Sequence, residues 1–502
     1  MVQPAFLHDL PRARAECASD SWALLGETRF TYGELSERTD RVARYLAEQY
    51  PPGSRVAVLA WNSNDYLILI YACSAAGLVL VPLNTRLAVA EWRYQLQSTR
   101  PSLLVYGAHF KQQSLDLVAD IKADCVQIET LVERRAKESG KALPSVTPDS
   151  PVWILHTSGS TGKPKGAMLT HQSFLAGLES AVQGRPVLDT DVYLYPFPLF
   201  HVSAHNVFLQ HRHGAAVWLL PGFDADLVLS LCEQGQVSTL SLAPTMIAML
   251  LDHPNYTPAK LAGVRAIGYG ASAMPLPLMQ TLLSTLDIEL SQSYGMTELS
   301  GSISFLTPED HRAGLTDPSI MRSVGRLVKG VEVTIRNDQG DVLPVGSAGE
   351  VCVRAAQCMQ GYWGRSEDTE NAIGAGYLRT GDLGMFDDRG YLTLVDRKKD
   401  MIISGGENIA SREVEDVLVT HSSVKQVAVV GLPNERWGEV VCACLVLNHS
   451  VDAGELDTFC RKRLAAFKCP KRYVTLESLP LNASGKIDKP ALRQAILDDA
   501  YL

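Results

Sequence analysis

The sequence lacks the marks of a secreted, nucleic-acid-binding or low-complexity protein. Its ten cysteines form no Cys-x-x-Cys pair, which indicates reduced structural thiols and predicts a cytoplasmic location. Basic residues are in deficit, with 46 Lys and Arg against 55 Asp and Glu and a formal charge of −9, so we expect no nucleic-acid partner. The 38 Gly and 26 Pro are near average usage, and no internal repeat or biased tract is present. These absences leave an ordinary globular chain.

Long apolar runs are also scarce. The amino terminus has no apolar stretch of signal-peptide length. One uncharged run, residues 66–85, approaches the length that spans a membrane. A glycine and a proline interrupt it, however, and the pattern favours a buried helix at about 64–76 between buried strands at 55–60 and 78–82. We therefore expect a chain without a transmembrane segment.

What is present predicts an α/β fold. Apolar runs alternate with amphipathic stretches from about residue 20 to 330, which is typical of layered α/β sheets. After that, short strands and turns predict a β-rich subdomain. A charge run near 396–400 then precedes a stretch with the pattern of a small α+β domain. The predicted domains are a large one at 1–396, a hinge at 397–400 and a small mobile C-terminal lid at 401–502.

The most informative stretch is a glycine-rich loop, HTSGSTGKPKGAMLTH at 156–171. Glycines let backbone N–H groups face an anion, hydroxyls add donors and lysines add positive charge, a combination that suits a polyphosphate. It is not a Walker A loop, because Gly159 and Gly162 are separated by only two residues and Pro164 follows Lys163. Composition alone leaves a plain surface loop as the alternative.

This loop resembles the phosphate loop of the adenylate-forming superfamily, which includes acyl-CoA synthetases, peptide-synthetase adenylation domains and firefly-type luciferases. Each further resemblance is weak alone, but together they follow the family's order and point to its acyl-CoA synthetase branch. The further strings are YGASAMP (269–275), SQSYGMTE (291–298), GEVCVRAAQCMQGYW (349–363), YLRTGDLG (377–384), DRKKDMIISGGENIASREVE (396–415) and LNASGKIDK (481–489).

The resemblance implies a site for ATP. The phosphate loop would contribute Thr157, Ser158, Gly159, Ser160, Thr161, Gly162, Lys163 and Lys165. The adenine would lie against Gly270, Ala271, Ser272, Tyr294, Gly295 and Met296. The ribose hydroxyls would be accepted by Asp382, and Arg397 would contact ribose and phosphate. From local sequence alone, Asp382 is equally a turn residue and Tyr294 a core aromatic.

Four residues are implied in the chemistry. Thr297 would donate to the α-phosphate, and Glu298 would hold Mg²⁺ through a carboxylate oxygen. Lys486 would reach the carboxylate and α-phosphate oxygens, where an ammonium offsets the charge that builds up when two anions react. His201 would border the acyl pocket, with a hydrogen-bonded core histidine as the alternative. An HExxH zinc motif is excluded because no Glu follows His201.

The same resemblance implies how the acyl group is passed to a thiol. The small domain would rotate about Lys399 and bring in a face that lines a channel for the pantetheine arm of coenzyme A. That face carries Ser404, Gly405, Gly406 and Glu407. A basic stretch at 461–472 is either a solvated helix face or an attraction for the phosphates of coenzyme A.

The implied reaction has two steps. A carboxylate and MgATP give an acyl-adenylate and pyrophosphate, and coenzyme A then displaces AMP to give acyl-CoA. The small or apolar residues expected around the pocket predict a hydrophobic acid, with a medium- or long-chain fatty acid favoured over an aromatic one. Two alternatives stay open: transfer to a carrier protein or an amine, and a catalytically silent nucleotide-binding protein. The oligomeric state is left open, with a homodimer among the options.

Overall fold

The computed structural model describes residues 4–136, 142–157, 164–270, 274–482 and 486–498. The chain has the predicted mixed α/β architecture. It divides into two compact units. The first comprises Met1–Ala271, Leu282–Glu332 and Val353–Leu378, and the second Ser272–Thr281, Val333–Cys352 and Arg379–Leu502. In this division the predicted hinge at 397–400 lies inside the second unit, and the predicted domain boundary stays a prediction.

The strands, in chain order, are β1 (Trp22–Leu25), β2 (Phe30–Thr31), β3 (Arg55–Leu59), β4 (Val79–Pro82), β5 (Leu103–Tyr106), β6 (Asp124–Gln127), β7 (Pro151–Thr157), β8 (Lys165–Thr170), β9 (Val192–Tyr195), β10 (Ala216–Leu219), β11 (Thr239–Leu242), β12 (Ala266–Gly270), β13 (Glu289–Met296), β14 (Gly301–Leu306), β15 (Arg326–Leu327), β16 (Val331–Arg336), β17 (Gly349–Ala355), β18 (Gly361–Tyr362), β19 (Ile373–Gly374), β20 (Tyr377–Phe386), β21 (Leu392–Arg397), β22 (Ile402–Ser404), β23 (Glu407–Ile409), β24 (Val424–Asn434), β25 (Gly438–Leu447) and β26 (Arg472–Thr475).

The α-helices are α1 (Asp9–Ala18), α2 (Tyr32–Gln49), α3 (Asn64–Ala75), α4 (Val89–Thr99), α5 (Lys111–Ile121), α6 (Ile128–Val132), α7 (His171–Gly184), α8 (His205–His213), α9 (Ala225–Glu233), α10 (Pro244–Leu251), α11 (Leu276–Thr285), α12 (Pro308–Gly314), α13 (Pro318–Met321), α14 (Ser366–Ala372), α15 (Ser411–Leu418), α16 (Ala453–Arg461) and α17 (Lys489–Leu497).

Two sheets form the first unit. One has the described strands in the order β15-β14-β13-β12-β11-β9-β10-β1-β2, and the other has the order β18-β8-β7-β4-β3-β5-β6. Strands β9 to β13 pair in parallel, as do β3, β4 and β5. Parallel strands need covered faces, and the apolar residues of β3, β4 and β12 are accordingly buried.

The uncharged run at 66–85 forms the predicted βαβ unit. Helix α3 begins where the hydroxyl of Ser63 accepts a hydrogen bond from the backbone N–H of Tyr66 at 3.1 Å. Its apolar residues are buried, and β4 follows directly beside β3. No helix in the described ranges combines the length and hydropathy that crossing a bilayer requires.

The carboxyl-terminal part of the second unit is the small α+β body that the sequence predicts. Its described sheet has the order β23-β22-β25-β24, with β26 beside β25. Alternate residues of β25 serve two cores: Val441, Ala443 and Leu445 join one, and Cys442 and Cys444 join the other. This alternation lets helices cover both faces of the sheet.

Candidate active site

The two strands that flank the glycine-rich loop pair with each other. Strands β7 and β8 pair antiparallel so that Thr157 lies opposite Lys165. The predicted phosphate-binding residues between them, Ser158, Gly159, Ser160, Thr161, Gly162 and Lys163, lie outside the described residues. The hairpin therefore fixes where the loop leaves and re-enters the sheet, with Thr157 at its entry.

Glu298 lies beside that entry. Its Oε1 accepts hydrogen bonds from the hydroxyl of Thr157 and from the hydroxyl of Tyr362, each at 3.0 Å. The residue is 6% exposed and sits in a 3₁₀ turn, Thr297–Leu299, that follows β13 directly. Burial and the neighbouring carboxylate raise the pKa of Tyr362 above its usual range, so the phenol stays protonated and donates.

This arrangement fits the predicted role of Glu298 as a magnesium ligand. In the described ranges no Lys or Arg forms an ion pair with the Glu298 carboxylate, and a buried carboxylate without a counter-ion attracts a cation. No group of three or more His, Cys, Asp or Glu side chains suited to a metal occurs among those residues either. A single carboxylate suits Mg²⁺, which keeps several waters and takes its other ligands from substrate phosphates.

Lys165 is held within the unit. Its Nζ lies 2.5 Å from Oδ1 of Asp368 and 5.4 Å from the ring centre of Tyr362. The side chain is 11% exposed, and the ammonium lowers the pKa of Asp368 below its usual value, chiefly through the hydrogen bond. Lys165 thus joins β8 to the amino-terminal turn of α14, and its predicted phosphate contact stays a prediction.

A tight backbone crossing holds Glu298 in place. A Cβ at Gly295 would lie 1.9 Å from the carbonyl oxygen of Gly301, so only glycine fits between β13 and β14. Ser300 has a φ of 49°, which turns the chain back into β14. The buried amide of Gln357 donates to the carbonyl of Leu299 at 2.8 Å. Local strain is therefore concentrated beside the candidate magnesium ligand.

Three predicted residues near this turn are placed as follows. Tyr294 is buried in β13, Met296 ends that strand, and Thr297 opens the 3₁₀ turn with its backbone carbonyl bonded to Ser300. Gly270 ends β12 beside β13, where a Cβ would lie 2.8 Å from the Ser293 carbonyl. The predicted adenine contacts Ala271 and Ser272 lie outside the described ranges.

His201 precedes α8, and His205 is the first residue of that helix. His201 stands just before a 3₁₀ turn, Val202–Ala204, and its ring meets Phe200 edge-on at 4.6 Å between centres. His205 is buried, with Nε2 at 3.0 Å from the carbonyl of Phe174. Burial lowers the pKa of His205 to about 4, so it is a neutral core histidine.

The predicted ribose ligands are adjacent in the second unit. Asp382 on β20 is paired in register with Arg397 on β21, and Nε of Arg397 lies 3.0 Å from Oδ1 of Asp382. Asp382 is 5% exposed, whereas the Arg397 side chain is about half exposed. The buried carboxylate is therefore oriented by a cation that is itself open to ligands.

The predicted thiolation face is a β-hairpin. Ser404 pairs with Glu407, and Gly405 and Gly406 form the turn with φ of 61° and 86°. Both central residues having positive φ defines a type I′ turn. The N–H of Gly405 donates to the carbonyl of Trp437 at 2.8 Å, and a Cβ there would lie 2.8 Å from the Trp437 ring. The turn is thus packed against an aromatic side chain.

Two predicted lysines of the second unit are exposed. Lys399 lies in the turn between β21 and β22. Leu481 forms an antiparallel bridge with Ile487, and the N–H of Asn482 donates to the Lys486 carbonyl at 2.7 Å. Three residues later, Lys489 is partly buried, with Nζ at 2.7 Å from Oε1 of Glu415.

Sequence reasoning assigned no role to Tyr362, Asp368 or Gln357. Tyr362 and Gln357 lie within the string GEVCVRAAQCMQGYW, and the end of this string forms β18, which pairs with β8. A phenol and an amide inside an apolar motif were the available signal. Their partners are far away in sequence, so the contacts could not be read from spacing.

Two family models match this chain. The family described as "AMP-binding enzyme" matches residues 11–363, and the family described as "AMP-binding enzyme C-terminal domain" matches residues 413–486. The chain is 34% identical over 483 residues to the long-chain-fatty-acid–CoA ligase FadD13 of Mycobacterium tuberculosis, with 93% of each chain covered.

Two further relatives extend the range of acceptors and ligands. The fatty acid–[acyl-carrier-protein] ligase ScoC of Streptomyces coeruleorubidus is 35% identical over 490 residues, with 95% of this chain and 94% of ScoC covered. The o-succinylbenzoate coenzyme A synthetase of Bacillus subtilis, solved with ATP and magnesium ion, superimposes with a TM-score of 0.85 at 31% identity, covering 96% of this chain and 99% of that one.

Proposed function

The chain belongs to the AMP-binding enzyme family and is an acid–thiol ligase, and from that premise we propose that it forms acyl-CoA in two steps. ATP and a carboxylic acid give an acyl-adenylate and pyrophosphate, and coenzyme A then displaces AMP. The observation that carries the proposal is the contact of Glu298 with Thr157, which joins a buried carboxylate to the entry of the glycine-rich loop.

The first step depends on offsetting negative charge. Mg²⁺ held at Glu298 would supply Lewis-acid stabilisation of phosphate oxygens. Thr157 and Tyr362 orient the Glu298 carboxylate, and Thr297 in the same turn is the proposed donor to the α-phosphate. Lys486 is the proposed cation that contacts the reacting carboxylate, and its side chain is exposed.

The second step needs a narrow path for a thiol. The Gly405–Gly406 turn supports this role, because glycines have no side chain and allow a thin pantetheine arm to approach the backbone closely. Coenzyme A is the proposed acceptor, as for the ligase FadD13. The relationship to ScoC makes a carrier-protein thiol the second candidate.

The acid is proposed to be hydrophobic over most of its length, with a fatty chain favoured over an aromatic ring. Support comes from the apolar residues near the predicted pocket and from the similarity to FadD13 and ScoC, both named as fatty acid ligases. A cytoplasmic location also stays a proposal, and all ten thiols are free as it requires.

The test is acid-dependent pyrophosphate release by the purified full chain with ATP and Mg²⁺, across a panel of carboxylic acids. Product analysis with coenzyme A present and absent then identifies the acceptor. We expect pyrophosphate release with at least one acid and a coenzyme A thioester as product. Absence of release with every acid would contradict the proposal, and a product formed only with a carrier protein would favour the second candidate.

A further inference from the structure

A buried arginine lies on the sheet face that leads to Gly270. In the first unit, Ser241 of β11 and Gly268 of β12 are neighbours in a parallel register, so they share one face of the sheet. Gly270, implied at the adenine, lies two residues further along β12 on that face, about 7 Å towards the carboxyl end of the strand. Asn206, which contacts Arg185, lies in α8 five residues after His201, the residue implied at the border of the acyl pocket. Carboxyl ends of parallel strands are where α/β folds bind ligands.

Arg185 covers this face. It follows the last residue of α7, and its Nη1 donates to Oδ1 of Asn206 at 2.8 Å and to Oγ of Ser241 at 2.9 Å. The guanidinium lies against Gly268 of β12, because a Cβ there would stand only 1.7 Å from Nη2. The absence of a side chain at 268 therefore makes room for the cation.

The hydrogen-bonding capacity of this group is incomplete. Arg185 is 9% exposed, and its buried Nε has no hydrogen-bond partner in the part of the chain that the structure describes. The buried hydroxyl of Tyr193 lies beside Arg185 and Ser241 and is a further neutral neighbour of the cation. Within those same ranges the side-chain partners of Arg185 are an amide and a hydroxyl, and no Asp or Glu pairs with it.

A buried cation with neutral partners is costly. Removing a charge from water without a counter-ion has a large desolvation penalty, and neutral hydrogen bonds recover only part of it. The pKa of Arg185 is accordingly lowered by burial, and burial raises the pKa of Tyr193 to about 12 while Arg185 and Ser241 oppose that rise. A planar guanidinium with unused donors matches a carboxylate in both charge and shape.

We propose that the acid activated by this protein carries a second carboxylate, at the end remote from the one that is adenylated, and that Arg185 binds it. The inference rests on the proposed function and narrows its substrate class to diacids with an apolar spacer. It revises the expectation of a plain fatty acid, because an uncharged chain end would leave the guanidinium unpaired.

Matched pairs of acids test the inference. Hexanoic and adipic acid, octanoic and suberic acid, and benzoic and terephthalic acid each differ by one terminal carboxylate. Acid-dependent pyrophosphate release is measured for both members of each pair. We expect at least one diacid to have a kcat/KM higher than its monoacid by about tenfold or more, the size of one charged hydrogen-bonded contact. Preference for the monoacid in all three pairs overturns the inference.

Two variants separate binding from folding. Arg185→Met removes the cation, and Ser241→Asp supplies an internal carboxylate next to Nη1. Both should abolish or reverse the diacid preference, with the urea midpoint of Arg185→Met unchanged or higher because a buried unpaired charge is lost. Arg354→Met, at an exposed arginine that pairs with Glu332, is the matched control and should keep the ratio.

The outcomes distinguish the two levels of the proposal. An unchanged ratio in both variants, or a fall in stability of Arg185→Met with the ratio retained, assigns Arg185 a structural role and overturns the inference. Turnover of monoacids alone overturns the inference but leaves the proposed function intact. No turnover of any acid removes the proposed function itself.

Discussion

Glu298 is positioned by residues that are remote from it in sequence. The hydroxyls of Thr157 and Tyr362 converge on one carboxylate oxygen, and the N–H of Met359 donates to its backbone carbonyl at 2.8 Å. Strand β7, strand β18 and Met359, which precedes β18, therefore hold Glu298 in place. Loss of such orienting partners commonly lowers metal affinity by about 10- to 100-fold.

Replacing Tyr362 by Phe should weaken magnesium use without removing the ligand. The variant loses one hydrogen bond to Glu298, and we expect the Mg²⁺ concentration for half-maximal pyrophosphate release to rise about tenfold. Glu298→Gln should lower the rate further. Tyr50→Phe, whose hydroxyl bonds to Asp124 at an exposed site, is the control, and an unchanged magnesium dependence in Tyr362→Phe would refute the role.

The ion pair of Lys165 and Asp368 can be examined by a double-mutant cycle. If the lysine serves mainly to tie β8 to α14, then Lys165→Met and Asp368→Asn should lower pyrophosphate release by similar factors. The double variant should then be little worse than either single one. If Lys165 binds phosphate independently, Lys165→Met alone would be much more damaging.

At the scale of elements, the β22–β23 hairpin depends on its first glycine. Gly405→Ala puts a methyl group 2.8 Å from the Trp437 ring, at a position whose φ is 61°. We expect thioester formation from supplied acyl-adenylate to fall about tenfold or more while adenylation is retained, because the turn must move away from the aromatic ring. The control is Gly390→Ala, which has a φ of 80° but open space around its Cβ.

Helix α17 is fastened at its first residue by the pair of Lys489 and Glu415. Glu415 lies on α15 with a side chain about one-fifth exposed, and it accepts a hydrogen bond from the Val429 N–H of β24 at 2.7 Å. Lys489→Met should therefore lower the free energy of unfolding by about 3 kcal/mol, because the carboxylate is left without a counter-ion.

Lys486→Ala, at the exposed lysine, should leave the urea midpoint unchanged, abolish adenylation and still permit thioester formation from acyl-adenylate.

Equal loss of both half-reactions in folded Lys486→Ala would contradict that division of labour. An unchanged urea midpoint in Lys489→Met would likewise show that the pair with Glu415 does not stabilise the carboxyl-terminal body. The two lysines are three residues apart, so the comparison separates a proposed chemical role from a structural one within one segment.

For the whole molecule, acid should destabilise the first unit. Burial lowers the pKa of His8, His156, His205, His211 and His311 to about 4 and that of His171 to about 3, against an ordinary value of 6.5. These neutral histidines contribute stability that is complete above pH 6.5 and is lost as the pH falls towards 4. Within that window each titrating histidine adds a slope of up to about 1.4 kcal/mol per pH unit.

Urea unfolding at pH 8 and pH 5 checks this dependence. In the first unit the raised pKa of Asp65 acts in the opposite direction, but six histidines outweigh one carboxyl group. We expect a clearly lower urea midpoint at pH 5. His171→Gln should reduce the difference. Substitution of His253, a partly exposed ring that contacts Asp226 at 3.6 Å and the N–H of Asn255 at 3.3 Å, should not. Equal midpoints at the two pH values would contradict the assignment.

The sequence predicted whatever depends on local patterns. The βαβ unit around the apolar run at 66–85 was predicted because hydropathy and a helix stop are local signals. Arg185 and Asp368 were missed because their surroundings arise from elements far apart along the chain. The small or apolar residues expected around the pocket predict a hydrophobic acid, which stays a prediction, and no spacing rule brings an arginine from the end of α7 onto Gly268.

The absence of a side chain at Gly268 makes this position suitable for redesign. A methyl group there and the guanidinium of Arg185 cannot occupy the same space, and the long arginine is the partner that would yield. Gly268→Ala would therefore displace the Arg185 guanidinium without removing it. In an enzyme engineered from this chain, the residue at position 268 would then determine whether diacids or monoacids are preferred.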